Sequence, residues 1–75
     1  MPRLSRALYL KAQRRLSYIE AASSLDALRV PPFNRLEKKK GDLKDFYSIR
    51  VNSQWRIIFR WEDDGAHDVK FVDYH

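Results

Sequence analysis

The sequence predicts an α+β domain in which one N-terminal helix packs on a small antiparallel sheet of three to four strands. Three observations support this prediction. Apolar residues recur at helical spacing in residues 2–23, they alternate with polar residues from Phe46 onward, and an Asp-Asp-Gly turn divides the alternating part. The chain has 75 residues, so residues 1–75 are expected to form a single domain.

The predicted helix covers residues 2–23. Pro2 suits a first helical turn, where a missing backbone N–H costs nothing. One side of the helix carries an apolar stripe with spacings of three and four residues, formed by Leu4, Leu8, Ala12, Leu16 and Ile19. Arg6, Arg14 and Arg15 fall mostly away from this stripe.

The segment that follows is interpreted from its turn-forming residues. Ser24 can cap a short turn, and Val30-Pro31-Pro32 then excludes helix. A short strand is predicted to begin within residues 33–36. Gly41 and Asp42, which lie among lysines, mark a further turn.

The second half predicts a three-stranded meander. A strand beginning at Phe46 leads through a turn at 52–54 into a second strand that begins at Trp55. The turn at 63–65 then leads into a third strand over 66–74. The sheet is expected to have one apolar face, which packs on the helix, and one mostly polar face.

Charge is unevenly distributed along the chain, whose net charge is +5. Residues 1–44 hold eleven Lys/Arg against four acids, whereas residues 45–75 hold four Lys/Arg against six acids. A basic first half favours nucleic acid or another polyanion as partner. A solvated helix face that keeps a small protein soluble explains the charge equally well.

Composition also bears on the compartment. The chain has no cysteine, which fits a reducing compartment. It has no run of about 18 apolar residues that would span a membrane, and its N-terminus does not resemble a signal peptide. The sequence therefore predicts a cytoplasmic protein without a membrane partner.

Candidate catalytic residues lie in the sheet and at the C-terminus. Arg56 projects from the face opposite Trp55, where its planar guanidinium can hold phosphate oxygens. Tyr74 falls on the same face, and its phenol or the imidazole of His75 can move protons. A surface arginine, an aromatic ring covering the sheet edge and a frayed terminus are the alternative explanations.

Further cations surround these candidates. Lys38, Lys39, Lys40 and Lys44 form a basic loop around Gly41. One of them can stabilise charge on a phosphorane, while the others attract backbone phosphates or face water. Arg50 and Arg60 add cations to the strands.

The remaining pattern contains no group typical of a metal or nucleotide site. His67 stands alone after the acidic turn, and no Cys/His/Asp cluster has metal-ligand spacing. No glycine-rich phosphate loop is visible. Phosphate-binding cations beside proton-transfer groups suggest RNA cleavage without a metal or other cofactor.

The C-terminal half closely resembles HigB-type toxins, in the RelE superfamily of toxin–antitoxin systems. The residues that carry the resemblance occur in the family order and at the expected gaps. They are Lys40-Gly41-Asp42, Tyr47-Ser48-Ile49-Arg50-Val51, Trp55-Arg56-Ile57, Gly65 and Asp73-Tyr74-His75. The resemblance is strong over residues 36–75, and the helix agrees with the family's main helix in character.

The resemblance implies a RelE-like microbial RNase fold and a ribosome-dependent mRNA endonuclease. It implies a helix-turn-helix antitoxin of the HigA type as partner, with operator DNA bound only through that antitoxin. Carried over to this sequence, the catalytic group is Lys40, Arg56, Tyr74 and His75, with Asp73 in support. We expect Lys38, Lys39, Lys44, Arg50 and Arg60 to contact RNA or the ribosome.

The sequence departs from the family pattern in two places. Glu37-Lys38-Lys39 replaces a histidine-proline-leucine that many relatives have. Relatives also begin with roughly twenty further residues, a strand and a short helix, which are absent here. Two alternatives to the nuclease therefore stand, namely a catalytically weak module that binds RNA or antitoxin, and a purely structural partner of the antitoxin.

Overall fold

One main helix packs on a four-stranded antiparallel sheet in the computed structural model, which describes residues 5–43 and 45–73. The helix and strands are α1 (Arg6–Ala21), β1 (Glu37–Lys38), β2 (Phe46–Arg50), β3 (Trp55–Glu62) and β4 (Gly65–Asp73). Strands that are consecutive in sequence are neighbours in the sheet. The predicted α+β class is confirmed.

Helix α1 begins later than the sequence predicted. Ser5 is its N-cap, and the Ser5 hydroxyl accepts a hydrogen bond from the backbone N–H of Leu8 at 3.0 Å. This contact satisfies one of the N–H groups that a helix start leaves without a partner. The prediction that the helix begins at residue 2 is therefore wrong, and Pro2 itself lies outside the described residues.

The buried side of α1 differs from the predicted apolar stripe. Ala12 and Ile19 are buried as expected, but Leu16 is 36% exposed and Arg15 is buried. The Arg15 guanidinium lies over the ring of Phe33, and its Nε donates to the carbonyl of Arg50 at 3.1 Å. A long side chain with an apolar stem and a satisfied polar head can occupy such a boundary position, which periodicity alone does not reveal.

Short 3₁₀ helices connect α1 to the sheet. Ser24 caps the first, Leu25–Arg29, by accepting from the backbone N–H of Ala27 at 3.3 Å, which confirms the predicted turn. The predicted short strand is present but begins at Glu37 rather than within residues 33–36, because Pro32–Asn34 form a second 3₁₀ helix. The side chain of Asn34 is buried and donates to the carbonyl of Leu28 at 3.3 Å, which links this 3₁₀ helix to the preceding one.

The sheet register assigns residues to two faces. Ile49 lies opposite Ile57 on the face that packs against α1, and Arg50 lies opposite Arg56 on the other face. The second face is polar in part, as predicted, but its centre is not open to solvent. Ser48 and Ile58, which lie opposite one another there, are both buried.

The β3–β4 hairpin contains an irregularity. Asp63 and Asp64 form its turn, and the pairing register shifts between Ile58 and Arg60. Asp68 adopts a left-handed conformation at this shift, with φ of 51°. Such a β-bulge re-aims a side chain, and here Asp68 contacts Arg60 on the neighbouring strand.

The core lies between α1 and the helix-facing side of the sheet. Phe59 is fully buried at its centre. The rings of Trp55 and Phe71 stack at 4.8 Å between centroids across β3 and β4. Within residues 5–43 and 45–73, no helix has the length and apolar character needed to cross a membrane.

We expect Phe59→Ala to lower the free energy of unfolding by about 3–5 kcal/mol, because it leaves a cavity in a small core. Phe33→Ala is the matched control, since Phe33 is a surface ring, and its cost should stay below about 1 kcal/mol. Urea denaturation followed by tryptophan fluorescence measures both. Equal destabilisation by the two variants would contradict this description of the core.

Candidate functional site

Arg56 lies near the start of β3, an interior strand of the sheet, and is far less exposed than a surface arginine. It is 8% exposed, and its Nη1 donates to the carbonyl of Asn52 at 3.4 Å. Strand β3 is paired on both sides, by β2 and β4. The guanidinium is therefore carried by a backbone that is fixed on both edges, which suits a group that must hold a phosphate in one orientation.

Arg50 is the cationic neighbour of Arg56. The two residues are directly opposite in the β2–β3 register, so their side chains leave the sheet on the same face. Like charges at such a position destabilise a strand pair. A phosphate bound between them would relieve this repulsion and accept hydrogen bonds from two guanidinium groups.

Asn52 organises the turn that carries this pair, and sequence reasoning treated it only as a turn residue. Its Oδ1 accepts from the backbone N–H groups of Gln54 at 2.9 Å and Trp55 at 2.8 Å. Its carbonyl accepts from Arg56. The side-chain-to-backbone bonds form an Asx-type turn, and the asparagine at the turn's start is the sequence signal for it. Asn52 is thus a positioning residue for Arg56.

Asp73 is placed on the other side of the sheet. Its register partner is Trp55, which faces α1 rather than the side of Arg56. The Asp73 carboxylate accepts from Nε2 of Gln54 at 3.1 Å and so ties the end of β4 to the β2–β3 turn. This contact makes Asp73 a support of the hairpin. Tyr74 and His75, the predicted proton-transfer residues, lie outside the described residues.

The lysines occupy different positions in the fold. Lys38 lies opposite Tyr47 in the short pairing of β1 with β2, hence on the helix-facing side. Lys39 is half-buried, and its backbone N–H donates to the carbonyl of Phe46 at 2.8 Å. Lys40 is exposed beside Gly41, whose φ is 69°. Lys44 lies outside the described residues.

Arg60 is bound to carboxylates on its own sheet face. Its Nε lies 2.6 Å from Oδ2 of Asp68, and its Nη2 lies 3.0 Å from Oε2 of Glu62. The hydrogen bond from Arg60 is the main cause that lowers the pKa of Asp68, and the same bond raises the pKa of Arg60. The charge of Arg60 is therefore compensated within the hairpin, and its RNA contact stays a prediction.

His67 does not stand alone, which corrects the sequence interpretation. Its Nε2 lies 2.6 Å from Oδ1 of Asp64, and its Nδ1 lies 4.0 Å from Oε2 of Glu62. One ligand atom from each of the three residues lies within 4.8 Å of the others, so this group could hold a metal ion. The spacing in the sequence does not reveal this group, because the hairpin turn, rather than a helix or loop motif, brings the three side chains together.

The Asp64–His67 contact predicts a pH dependence. The hydrogen bond with Asp64 raises the pKa of His67 above its ordinary 6.5 and lowers the pKa of Asp64 below its ordinary 3.8. The stabilisation from His67 is fully present below pH 6.5 and is lost as pH rises through the raised pKa. The stabilisation from Asp64 is present above pH 3.8 and is lost as pH falls through the lowered pKa.

We therefore expect the ring signals of His67 to titrate above 6.5 in an NMR pH series. Asp64→Asn should lower that midpoint towards 6.5, because the carboxylate partner is gone. Asp63→Asn, at the adjacent turn position, should lower it less. A midpoint that is the same in the wild-type protein and in Asp64→Asn would show that the contact does not stabilise the imidazolium.

Known proteins with similar sequences identify the family. The sequence model of the HigB-like toxin family, described as RelE-like toxins of the type II toxin–antitoxin system HigB, matches residues 3–75. The chain is 45% identical over 62 residues to "Toxin HigB-1" of Vibrio cholerae, covering 83% of this chain and 64% of that protein. It is 33% identical over 61 residues to "Endoribonuclease HigB" of Proteus vulgaris, covering 81% of this chain and 65% of that protein.

A Haemophilus influenzae protein is also similar, with 37% identity over 68 residues that cover 91% of this chain and 66% of that protein. The chain thus spans about two thirds of the length of the relatives it matches. The family match covers nearly all of the chain, including both arginines of the β2–β3 pair. The chain belongs to the HigB-like toxin family, the RelE-like toxins of type II toxin–antitoxin systems.

Proposed function

We propose that this chain acts as an endoribonuclease that cleaves mRNA on the ribosome. The observation that carries the proposal is the pair of guanidinium groups at Arg50 and Arg56, directly opposite in register on a fixed sheet. Membership of the HigB-like family supports it, and one relative is named an endoribonuclease. Two adjacent arginines suit a phosphodiester because each offers a planar set of donors to phosphate oxygens.

The proposed reaction is internal transesterification and requires no metal ion. The 2′-oxygen of one nucleotide forms a bond to the adjacent phosphorus while the bond from phosphorus to the 5′-oxygen breaks. The proton of the 2′-hydroxyl passes to a base, and the leaving 5′-oxygen receives a proton from an acid. The products are a 2′,3′-cyclic phosphate and a free 5′-hydroxyl.

Each step of the proposed reaction is assigned to residues of this chain. Arg56 holds the scissile phosphate, and Lys40 stabilises the charge that develops on it. Tyr74 or His75 moves the protons, and either can serve as base or acid. Asp73 acts as a positioning residue through Gln54. A metal is not needed to generate the nucleophile, because the RNA supplies it.

Dependence on the ribosome is proposed because Tyr74 and His75 are both weak bases for a 2′-hydroxyl proton. A phenol or a terminal imidazole removes little of the 2′-hydroxyl's proton unless the attacking oxygen is already in line with the leaving oxygen. Alignment of the strand by a larger scaffold can lower the barrier by about 7–11 kcal/mol. The decoding ribosome, which holds mRNA in a fixed path, is the proposed scaffold.

The proposed setting is the cytoplasm, with an antitoxin that neutralises the toxin. We propose a HigA-type helix-turn-helix protein for that partner, and binding of operator DNA only through it. The positive net charge of +5 favours both an RNA substrate and an acidic partner surface.

A weaker second candidate is binding without cleavage. Glu37 lies opposite Ser48 in the β1–β2 register and therefore on the sheet face that carries Arg56. An acid on that face repels phosphate. In this alternative the chain would bind RNA or antitoxin through its basic surface while leaving the RNA intact.

We expect Arg56→Lys to reduce the rate of mRNA cleavage on purified ribosomes by about 100-fold or more, because the charge remains but the two-pronged donor geometry is lost. The matched control is Arg29→Lys, an exposed arginine paired with Asp26 at 2.7 Å. Primer extension and detection of cyclic phosphate ends measure the cleavage. Circular dichroism of both variants checks that the buried substitution leaves the sheet folded.

Two outcomes would contradict the proposal. Cleavage at an equal rate by Arg56→Lys and the wild-type protein would remove Arg56 from the mechanism. RNA that binds the wild-type protein on ribosomes but stays intact would support the binding module instead.

A further inference from the structure

A basic cavity lies between α1 and the 3₁₀ helix Pro32–Asn34, beside the end of β2. Its volume is about 560 Å³, within the range of small-ligand sites. Four cationic residues and one aromatic residue contribute to its lining: Lys11, Arg15, Arg35, Arg50 and Phe33. Among the described residues that line it there is no aspartate or glutamate.

Phe33 lines this cavity, and its ring is more exposed to solvent than is usual for a large apolar side chain. Phe33 also lines a smaller concavity of about 260 Å³, to which Lys11 and Arg14 contribute. The guanidinium of Arg15 lies 4.4 Å from the ring centroid, yet 51% of Phe33 remains exposed. An exposed ring held in place among cations is the arrangement on which unpaired bases stack.

The cations around Phe33 crowd one another. Burial lowers the pKa of Arg15, Tyr18 opposes this effect, and the charge of Arg14 adds to it. Because lysines and arginines stay charged at neutral pH, the cavity carries a positive potential. A ligand with several negative charges would reduce this repulsion, whereas a neutral or cationic ligand would not.

The cavity borders the candidate cleavage site through two residues. Arg50 lines the cavity and is also the register partner of Arg56. Asn52 lines the cavity as well, and its carbonyl accepts the hydrogen bond from Arg56. Because the side chains of Arg50 and Arg56 leave the sheet on the face opposite α1, a strand that reaches both sites would pass around the end of β2 and the turn at Asn52.

We propose that this basic–aromatic cavity binds single-stranded RNA next to the scissile phosphate, with one base stacked on Phe33 and backbone phosphates bound by Lys11 and Arg35. The inference takes RNA as the ligand from the proposed function. It adds a site for a neighbouring nucleotide, formed by residues outside the predicted catalytic group. The stacked base distinguishes it from simple attraction of a polyanion.

Binding is measured by fluorescence anisotropy with a short 2′-O-methyl RNA, which lacks the attacking hydroxyl and so cannot be cleaved. We expect Phe33→Ala to weaken binding roughly 5- to 100-fold, the loss typical of one stacked base. An abasic strand of equal length should bind the wild-type protein and Phe33→Ala equally well. Tyr9→Ala, an exposed aromatic outside the cavity, is the matched control and should have no effect.

The phosphate contacts have a separate signature. Lys11→Gln and Arg35→Gln should each weaken binding of both strands and reduce the slope of log affinity against log salt by about 0.7, the value for one contact to a single strand. Arg29→Gln, whose partner is Asp26, should leave the slope unchanged.

Several results would overturn the inference. One is unchanged RNA binding in Phe33→Ala, and another is an equal loss for the RNA and the abasic strand. Poly-glutamate that displaces the RNA through Lys11 and Arg35 with no role for Phe33 would indicate an acidic polypeptide as the ligand instead. If the wild-type protein cleaves RNA but its Phe33, Lys11 and Arg35 variants all bind RNA normally, the proposed function stands and the cavity inference is wrong. If binding depends on the base but the RNA is not cleaved, the cavity inference stands and the proposed function is wrong.

Discussion

The antiparallel pairing of β2 with β3 is the constraint on which the rest of the structure depends. A single register places Ile49 and Ile57 in the core and, on the opposite face, brings Arg50 and Arg56 together. Because side chains alternate along a strand, a slip by one residue would expose the core residues and bury both arginines towards the helix. Stability and the candidate site are therefore fixed by the same hydrogen bonds.

The turn that joins these strands ensures that register. The side-chain oxygen of Asn52 accepts hydrogen bonds from two backbone N–H groups, and its backbone carbonyl accepts one from the guanidinium of Arg56. Helix α1 adds a tertiary contact at the same place, since Arg15 donates to the carbonyl of Arg50. The cationic pair is thus held from the turn and from the helix, and such fixed positions are what electrostatic stabilisation of a transition state requires.

In the β3–β4 hairpin, two basic side chains are paired with carboxylates. Its arginine and histidine are matched by nearby carboxylates, with Arg60 bound by Asp68 and His67 bound by Asp64. The charges of the Arg50 region are instead concentrated around a cavity with no acidic residue in its described lining. This division separates a hairpin whose charges are compensated by its own carboxylates from a surface that attracts anions.

The sequence by itself determined the α+β class, the alternation of the strands and the turn at Asn52, because these follow from local periodicity and side-chain chemistry. Arg56 was also identified from alternation, since a strand's faces are fixed by parity. Tertiary structure decided the contacts between residues that are distant in sequence, which periodicity does not predict. Burial of Arg15 depends on Phe33 and Arg50, which lie far along the chain. The bulge at Asp68 and the grouping of His67 with Glu62 depend on how two strands pair, and pairing is a property of the folded sheet.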